Sequence, residues 1–97
     1  MTTIVPRDRL VWGMQLPIQM HSATIREDWE LTASVADLVA VAQAADAAGS
    51  LFVAATDHVA LPRNDYTKHM TPTWYDTIAT LGFIAAHTTN VRLLSAV

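Results

Sequence analysis

Three short apolar runs alternate along this chain with two segments whose apolar residues recur at helical spacing. The runs cover residues 10–16, 51–55 and 91–97, and the helical segments cover 34–48 and 71–89. Short and nearly continuous apolar runs are typical of strands that are buried on both faces. The order β-α-β-α-β therefore predicts an α/β fold with a parallel sheet, because right-handed crossovers return each strand in the same direction.

Local signals mark both ends of the first helix. Ser34 and Asp37 form an N-cap pair, in which the hydroxyl satisfies a free amide and the carboxylate lies at the positive end of the helix dipole. Gly49 can adopt the left-handed conformation that ends a helix. The residues expected on the apolar face are Val35, Leu38, Val39, Ala42 and Ala45.

The second helix has weaker signals. Thr71 is the expected N-cap, Pro72 suits the first helical position, and Asn90 is the expected left-handed stop. The residues expected to share a face are Ile78, Leu81, Gly82, Ala85 and Thr89.

Loop lengths distinguish the two ends of the predicted sheet. Residues 49–50 and 89–90 connect a helix to the next strand, whereas the loops from strand to helix cover 17–33 and 59–73. Ligands bind at the carboxyl ends of parallel strands, where the strand-to-helix loops lie. Three strands leave two edges and one face of a sheet uncovered, and a closed barrel needs about 250 residues. We expect residues 1–97 to be the N-terminal β-α-β-α-β portion of a (β/α)8 TIM barrel, a partial domain truncated after the third strand.

Composition excludes several classes of protein. Apolar residues make up 52% of the chain and charged residues only 15%, against about 25% charged in an ordinary domain. This favours self-association or a missing remainder of the barrel. With six Lys and Arg, a net charge of −3 and no cysteine, nucleic acid is not an expected partner and thiolate chemistry is excluded. No secretory leader or bilayer-spanning run is apparent, so a cytoplasmic location without membrane contact is expected.

The pair Asp57 and His58 is the main candidate for chemistry, because it follows the second strand at the expected ligand-binding end. His58 can donate a proton or a hydrogen bond near neutral pH, and Asp57 can fix its tautomer or accept from a ligand. The alternative is structural, with Asp57 capping the loop and His58 satisfying a backbone carbonyl.

Other polar and aromatic residues of the long loops are secondary candidates. Three cations can meet an anionic ligand or remain solvated, and the four loop aromatics can line a flat pocket or pin the loops to the scaffold. Trp12, within the first strand, is expected in the core. His21, His69 and His87 give no metal-binding spacing, and three glycines are too few for a nucleotide-binding fingerprint. The cations are Arg26, Arg63 and Lys68, and the aromatics are Trp29, Tyr66, Trp74 and Tyr75.

Five pieces of this sequence, in order and spacing, resemble the start of the luciferase-like monooxygenase superfamily, and above all its deazaflavin (coenzyme F420) dependent oxidoreductases. They are WGMQLP at 12–17, DLVAVA at 37–42 with Ala48 and Gly49, TDHV at 56–59 with LPR at 61–63, WYD at 74–76 with ATL at 79–81, and AAHTTNVRL at 85–93. The chain departs from the usual pattern at Ser50, Leu51 and Ala54.

The resemblance implies an α/β barrel that holds deazaflavin, or alternatively FMN, at the carboxyl ends of its strands and transfers hydride to or from a small organic substrate. Asp57 and His58 match an acid and imidazole pair close to the cofactor ring, and Gln15 lies in the first matching piece. Ser95 and Ala96, with Val97, match a bulge that in several relatives contains a non-proline cis peptide against the ring.

Three hypotheses follow. The first is a deazaflavin-dependent oxidoreductase of which this chain is the N-terminal part, with Asp57 and His58 as catalytic residues and Gln15, Asp57, Ser95 and Ala96 around the cofactor. The second is an FMN-dependent monooxygenase, in which the flavin also activates dioxygen. The third is a non-catalytic truncated or associating half-barrel. Under all three hypotheses the isolated chain is expected to have weak or no turnover.

Overall fold

A computed structural model describes residues 3–18, 24–56, 60–70 and 74–96 of the chain. The described elements form a small α/β domain in which two helices pack on a sheet of three parallel strands. In chain order they are β1 (Met14–Gln15), a 3₁₀ helix (Asp28–Leu31), α1 (Val35–Ala47), β2 (Phe52–Thr56), α2 (Thr77–Ala85) and β3 (Arg92–Ala96). The predicted element order and the parallel sheet are confirmed.

The strands follow the order β1-β2-β3, with β2 in the centre. Met14 pairs with Val53, and Val53 pairs in turn with Leu93. The regular part of β1 is only two residues long, shorter than the predicted 10–16. Pairing extends beyond it on both sides, since Leu51 N–H donates to Trp12 O and Leu16 N–H donates to Ala54 O, each at 2.8 Å.

Helix α1 has the ends that the sequence predicts. The backbone N–H and the hydroxyl of Ser34 donate to Asp37 Oδ2 at 2.7 and 2.8 Å, and Asp37 N–H donates back to Ser34 Oγ at 3.4 Å. This reciprocal pair satisfies amides that the first turn leaves free. Gly49 has a φ of 84°, a conformation that glycine adopts without steric cost, and it turns the chain directly into β2.

Helix α2 begins later than the sequence predicts. Its N-cap is Asp76, whose Oδ1 accepts from Ala79 N–H at 2.7 Å. The prediction of Thr71 as the cap and Pro72 as the first helical residue is therefore wrong, although both residues lie outside the described ranges. Asp76 caps the helix by accepting the free amide three residues later. The predicted helix, which started at Thr71, was therefore too long at its N-terminal end.

The buried face of α2 is also rotated from the predicted one. Ile78 is 73% exposed, and Gly82 and Ala85 are exposed as well. The buried residues are Thr77, Thr80, Leu81 and Ile84. Asn90 does not adopt a left-handed conformation, since Ile18 is the only non-glycine residue with positive φ in the described ranges.

One apolar core joins the sheet to both helices. It includes Val53 of β2, three residues of α1 and one of α2, namely Leu38, Ala42, Ala45 and Ile84. Val53, Ala42 and Ile84 are fully buried. Since both helices contribute to the same cluster around Val53, they cover the same face of the sheet, which we call the helix face.

The strand β3 differs from the buried strand that the sequence predicts. All five of its residues are exposed, with Leu93 at 37% and Leu94 at 45%. Among the described strands its only neighbour is β2, and an edge strand without cover cannot bury its apolar side chains. Val91, directly before β3, is buried in the core.

The helices are short, at 13 residues for α1 and nine for α2. A membrane-spanning helix needs about 20 apolar residues. Within the described parts of the chain, neither this length nor this apolar character is reached by any helix.

Candidate functional site

The three strands end at one edge of the sheet, with Gln15, Thr56 and Ala96 as their last residues. We call this edge the carboxyl rim. Thr56 pairs with Ala96 in register, and Gln15 pairs with Ala54, two residues before the end of β2. The rim therefore brings together two of the predicted cofactor-binding residues, Gln15 and Ala96, on either side of β2.

Side-chain alternation assigns the rim residues to two faces. Paired residues of parallel strands share a face, and successive residues along a strand alternate. Gln15, Ala54 and Leu94 form one row on the face opposite the helices, and Thr56 and Ala96 form the next row on that face. Ser95 pairs with Ala55, in the set that includes Val53, and so lies on the helix face.

Three residues central to the sequence hypothesis, Asp57, His58 and Val97, lie outside the described ranges. The chain leads to Asp57 and His58 directly from Thr56, whose position at the carboxyl rim is defined. Between Arg92 and Ala96, β3 keeps regular register with β2. Peptide bonds in the described ranges are all trans, and the bond to Val97 is not among them.

Thr56 is a rim residue that the sequence analysis did not single out. Its backbone carbonyl accepts a short hydrogen bond from Thr77 Oγ1 at the start of α2. Its own Oγ1 is buried and has no hydrogen-bond partner. A buried hydroxyl without a partner is uncommon and costs free energy, so this atom is a candidate for contact with a ligand. The only sequence signal for Thr56 is its position directly before Asp57 in the TDHV piece.

A cleft lies beside the end of β1. It has a volume of about 170 Å³ and is lined by Gln15, Leu16, Pro17, Ile25, Arg26 and Glu30. Leu16 is also part of the buried core, so one wall of the cleft is formed by a core residue. Arg26 is partly buried, and its Nη1 is enclosed without a hydrogen-bond partner.

Glu30 holds this cleft together, a role that the sequence analysis missed. Its Oε1 accepts from Ile18 N–H and its Oε2 accepts from Glu27 N–H, each at 2.8 Å. Ile18 has a φ of 71°, which is rare for a β-branched residue and costs about 1–3 kcal/mol. The carboxylate thus fixes the strained start of the loop after β1 to the 3₁₀ helix. A glutamate on a short helix gives no sequence signal for a contact twelve residues away.

The two other cationic candidates lie in the loop 60–70. Lys68 Nζ is 3.5 Å from Asp65 Oδ1, and both side chains are largely exposed, so this ion pair contributes little to stability. Arg63 and Lys68 line a separate shallow cleft of about 270 Å³ with Leu61, Pro62, Thr67 and Met70. His69 is exposed in the same loop. The candidate side chains of this loop, Arg63, Lys68 and His69, are therefore all exposed to solvent.

The aromatic residues do not form one pocket. Trp74 and Tyr75 line a mostly apolar groove of about 370 Å³ between the starts of α1 and α2, and Tyr75 packs against the core. Trp29 and Tyr66 are exposed elsewhere. Trp12 is 45% exposed, so its prediction as a core residue is wrong. It precedes the short β1, at the edge of the sheet, where cover is incomplete.

Two carboxylates with lowered pKa values are structural. Hydrogen bonds from Ser34 lower the pKa of Asp37. Backbone amides of Thr89, Asn90 and Val91 lower the pKa of Asp46, although burial opposes them. His87 packs its ring edge-on against Phe83, with centroids 4.7 Å apart. In the described ranges, no three His, Asp or Glu side chains are grouped as metal ligands would be.

Comparisons of this chain with protein-family models, with curated proteins and with solved structures gave no match. The carboxyl rim and the cleft beside it are the features of this chain that bear on its function.

Proposed function

We propose that this chain is the N-terminal β-α-β-α-β portion of a (β/α)8 barrel that works as a flavin- or deazaflavin-dependent oxidoreductase of the luciferase-like type. The observation that carries the proposal is the carboxyl rim, where Gln15, Thr56 and Ala96 share one face of a parallel sheet. This is the place where α/β barrels bind their ligands. The resemblance of five sequence pieces supplies the cofactor class.

Two features of the sheet support a barrel over an open sheet with helices on both sides. Strand order follows chain order, and both helices pack on the helix face around Val53. A doubly wound sheet reverses its strand order and places helices on both faces. The exposed Leu94 on the opposite face fits the lining of a barrel whose other strands would cover it.

The rim residues fit a flat ring with a polar edge. Thr56 Oγ1 is buried without a partner, and Gln15 is exposed on the same face with both amide donors and an acceptor. The ring would be held by Gln15 and Thr56, with Asp57 adjacent in sequence and the Ser95–Ala96 backbone at the neighbouring strand end. A bound flavin or deazaflavin supplies hydride transfer to or from a small organic substrate.

The chain's own residues would position groups and move protons. Gln15 and Thr56 would hydrogen-bond the ring edge and fix its orientation against the strand ends. His58 would donate a proton or hydrogen bond to the substrate near neutral pH, and Asp57 would hold the imidazole in one tautomer. Since these two residues follow Thr56 directly, the position of Thr56 at the end of β2 limits where they can lie.

Direct titration tests this proposal. Oxidised deazaflavin and FMN are each added to the 97-residue chain while cofactor fluorescence and absorbance are recorded. We expect saturable binding of deazaflavin that is weakened severalfold by Thr56→Val, which removes the unpaired hydroxyl at constant volume. Thr32→Val, at an exposed position after the 3₁₀ helix, is the matched control.

The outcomes separate the cofactor alternatives. Binding of FMN in preference to deazaflavin would favour the FMN-dependent monooxygenase. Absence of saturable binding for both cofactors would contradict the proposal for this chain.

The exposure of β3 favours a second candidate, an associating half-barrel without turnover. Leu93 and Leu94 are exposed on opposite faces of an edge strand, and such edges pair readily with other strands. Size-exclusion chromatography with light scattering across protein concentrations tests it. A dimer that dissociates when Leu94→Lys is introduced, together with no cofactor binding, would support this candidate over the oxidoreductase.

A further inference from the structure

The cleft beside β1 contains a positive charge without a counter-ion. Arg26 lines the cleft, and its Nη1 is enclosed with no hydrogen-bond partner. The one ion pair in the described ranges joins Lys68 to Asp65, in another loop. A cation that is partly removed from water without a partner is unfavourable, because it loses hydration and gains nothing in exchange. An anion placed in the cleft would supply the missing interactions.

The carboxylate nearest in the lining does not fill this role. Both oxygens of Glu30 accept backbone N–H groups, from Ile18 and Glu27 at 2.8 Å. These bonds hold Glu30 where it fixes the loop, and it forms no ion pair with Arg26. Its negative charge in the same lining also disfavours a dianion such as phosphate. Because the lining contains one positive and one negative side chain, a singly charged anion beside Arg26 is less disfavoured than a dianion.

We propose that this cleft binds the carboxylate of a small organic acid. The planar guanidinium of Arg26 matches a carboxylate with two parallel hydrogen bonds, and the amide of Gln15 offers a further donor across the cleft. The volume of about 170 Å³ equals roughly six water molecules at about 30 Å³ each. The hydrocarbon part of the acid would contact Leu16, Pro17 and Ile25.

This site does not depend on the proposed hydride chemistry. Its lining comes from the end of β1 and the loop before α1, and none of its six residues belongs to β2 or β3. The two proposals meet only at Gln15. An acid bound here would lie beside the carboxyl rim, where a substrate of the proposed oxidoreductase would be placed.

Titration with sodium propionate tests the site, in the absence of any flavin and with sodium chloride at matched ionic strength. Binding is followed by NMR, through the side-chain amide of Gln15 and the Nε–H of Arg26. We expect saturable shifts of both signals, and at least about tenfold weaker binding in Arg26→Met, which removes the charge and the fork of donors. Arg7→Met, at an exposed position before β1, is the control and should bind as the unchanged chain does.

A second variant covers the case in which Arg26→Met does not fold. Arg26→Lys keeps the charge but loses the bidentate geometry, and we expect severalfold weaker binding. Propionate shifts that do not saturate, or equal binding by the Arg26 variants and the unchanged chain, would overturn the proposal. Tighter binding of phosphate than of propionate would also overturn it. Since no flavin is present, failure here is distinguishable from failure of the oxidoreductase proposal.

Discussion

The carboxylate of Asp46 in α1 accepts the backbone N–H of Val91, the residue before β3, at 2.8 Å. The same carboxylate accepts from Thr89 N–H at 2.6 Å and from Asn90 N–H at 2.9 Å. One side chain thus satisfies three consecutive amides of the turn between α2 and β3, and it joins that turn to the other helix. Val91 is buried in the core, so this contact sets where β3 begins.

Asp46→Asn should destabilise the chain. An amide side chain can still accept, but without the charge that strengthens hydrogen bonds from backbone N–H groups. We expect a melting temperature several degrees lower at neutral pH, measured by circular dichroism. Asp65→Asn, at an almost fully exposed position, is the control and should change the melting temperature little.

Stability should also fall in acid because of Asp46. Its pKa in the folded chain is lowered from the ordinary 3.8, so the stabilisation is present above that value and is lost as pH falls through the folded pKa. Melting temperatures recorded from pH 7 to pH 2 should drop most steeply below about pH 4. In Asp46→Asn this acid-dependent loss should be smaller. An unchanged pH profile would show that the three hydrogen bonds are not maintained in solution.

Ser34→Ala should lower the free energy of unfolding by about 1 kcal/mol, because α1 loses its N-cap hydroxyl. Ser34→Thr keeps the hydroxyl and should retain most of the stability. Urea unfolding monitored by circular dichroism measures both variants. Equal losses in the two would mean that the capping contact with Asp37 does not stabilise the helix.

Ile84→Ala and Ile78→Ala form a matched pair within α2. Ile84 is fully buried and Ile78 is 73% exposed. Ile84→Ala should lower the free energy of unfolding by about 2–5 kcal/mol, whereas Ile78→Ala should change it by less than about 0.5 kcal/mol. A larger loss of stability in Ile78→Ala than in Ile84→Ala would instead support the buried face that the sequence predicted.

Gly13→Ala should destabilise the sheet by about 1–3 kcal/mol through overpacking. A Cβ on Gly13 would overlap the ring of Phe52 on the adjacent strand. Phe52→Leu should therefore rescue part of the loss in the double variant, and urea unfolding of the four chains measures the coupling. If the two changes in unfolding free energy simply add in the double variant, Gly13 and Phe52 are not in contact.

Short-range signals explain what the sequence could predict. The Ser34–Asp37 cap and Gly49 are local, and both ends of α1 were predicted correctly. The parallel order followed from the alternation of elements. In α2, the cap is Asp76 and not the predicted Thr71, because the helix starts where the preceding loop ends, and the apolar spacing did not define that point. The buried face was misassigned with it.

The site was predicted less completely, because its features depend on long-range contacts. Gln15 and Ala96 are the last residues of β1 and β3, and their shared face follows from the pairing register with β2. Their contact with a cofactor stays a prediction. Glu30 contacts Ile18 across a loop, and the unpartnered Oγ1 of Thr56 is a property of packing. No local pattern carries these relationships. The roles of Asp57 and His58 remain predictions.

The most direct test of the account is an NMR map of the chain with and without deazaflavin. Backbone amide shifts should change most at Gln15, Thr56 and Ala96, on the carboxyl rim, and little at Trp12, Leu51 and Val91, at the opposite end of the strands. Shifts confined to that opposite end, or no shifts at saturating deazaflavin, would contradict the claim that this rim is the cofactor site.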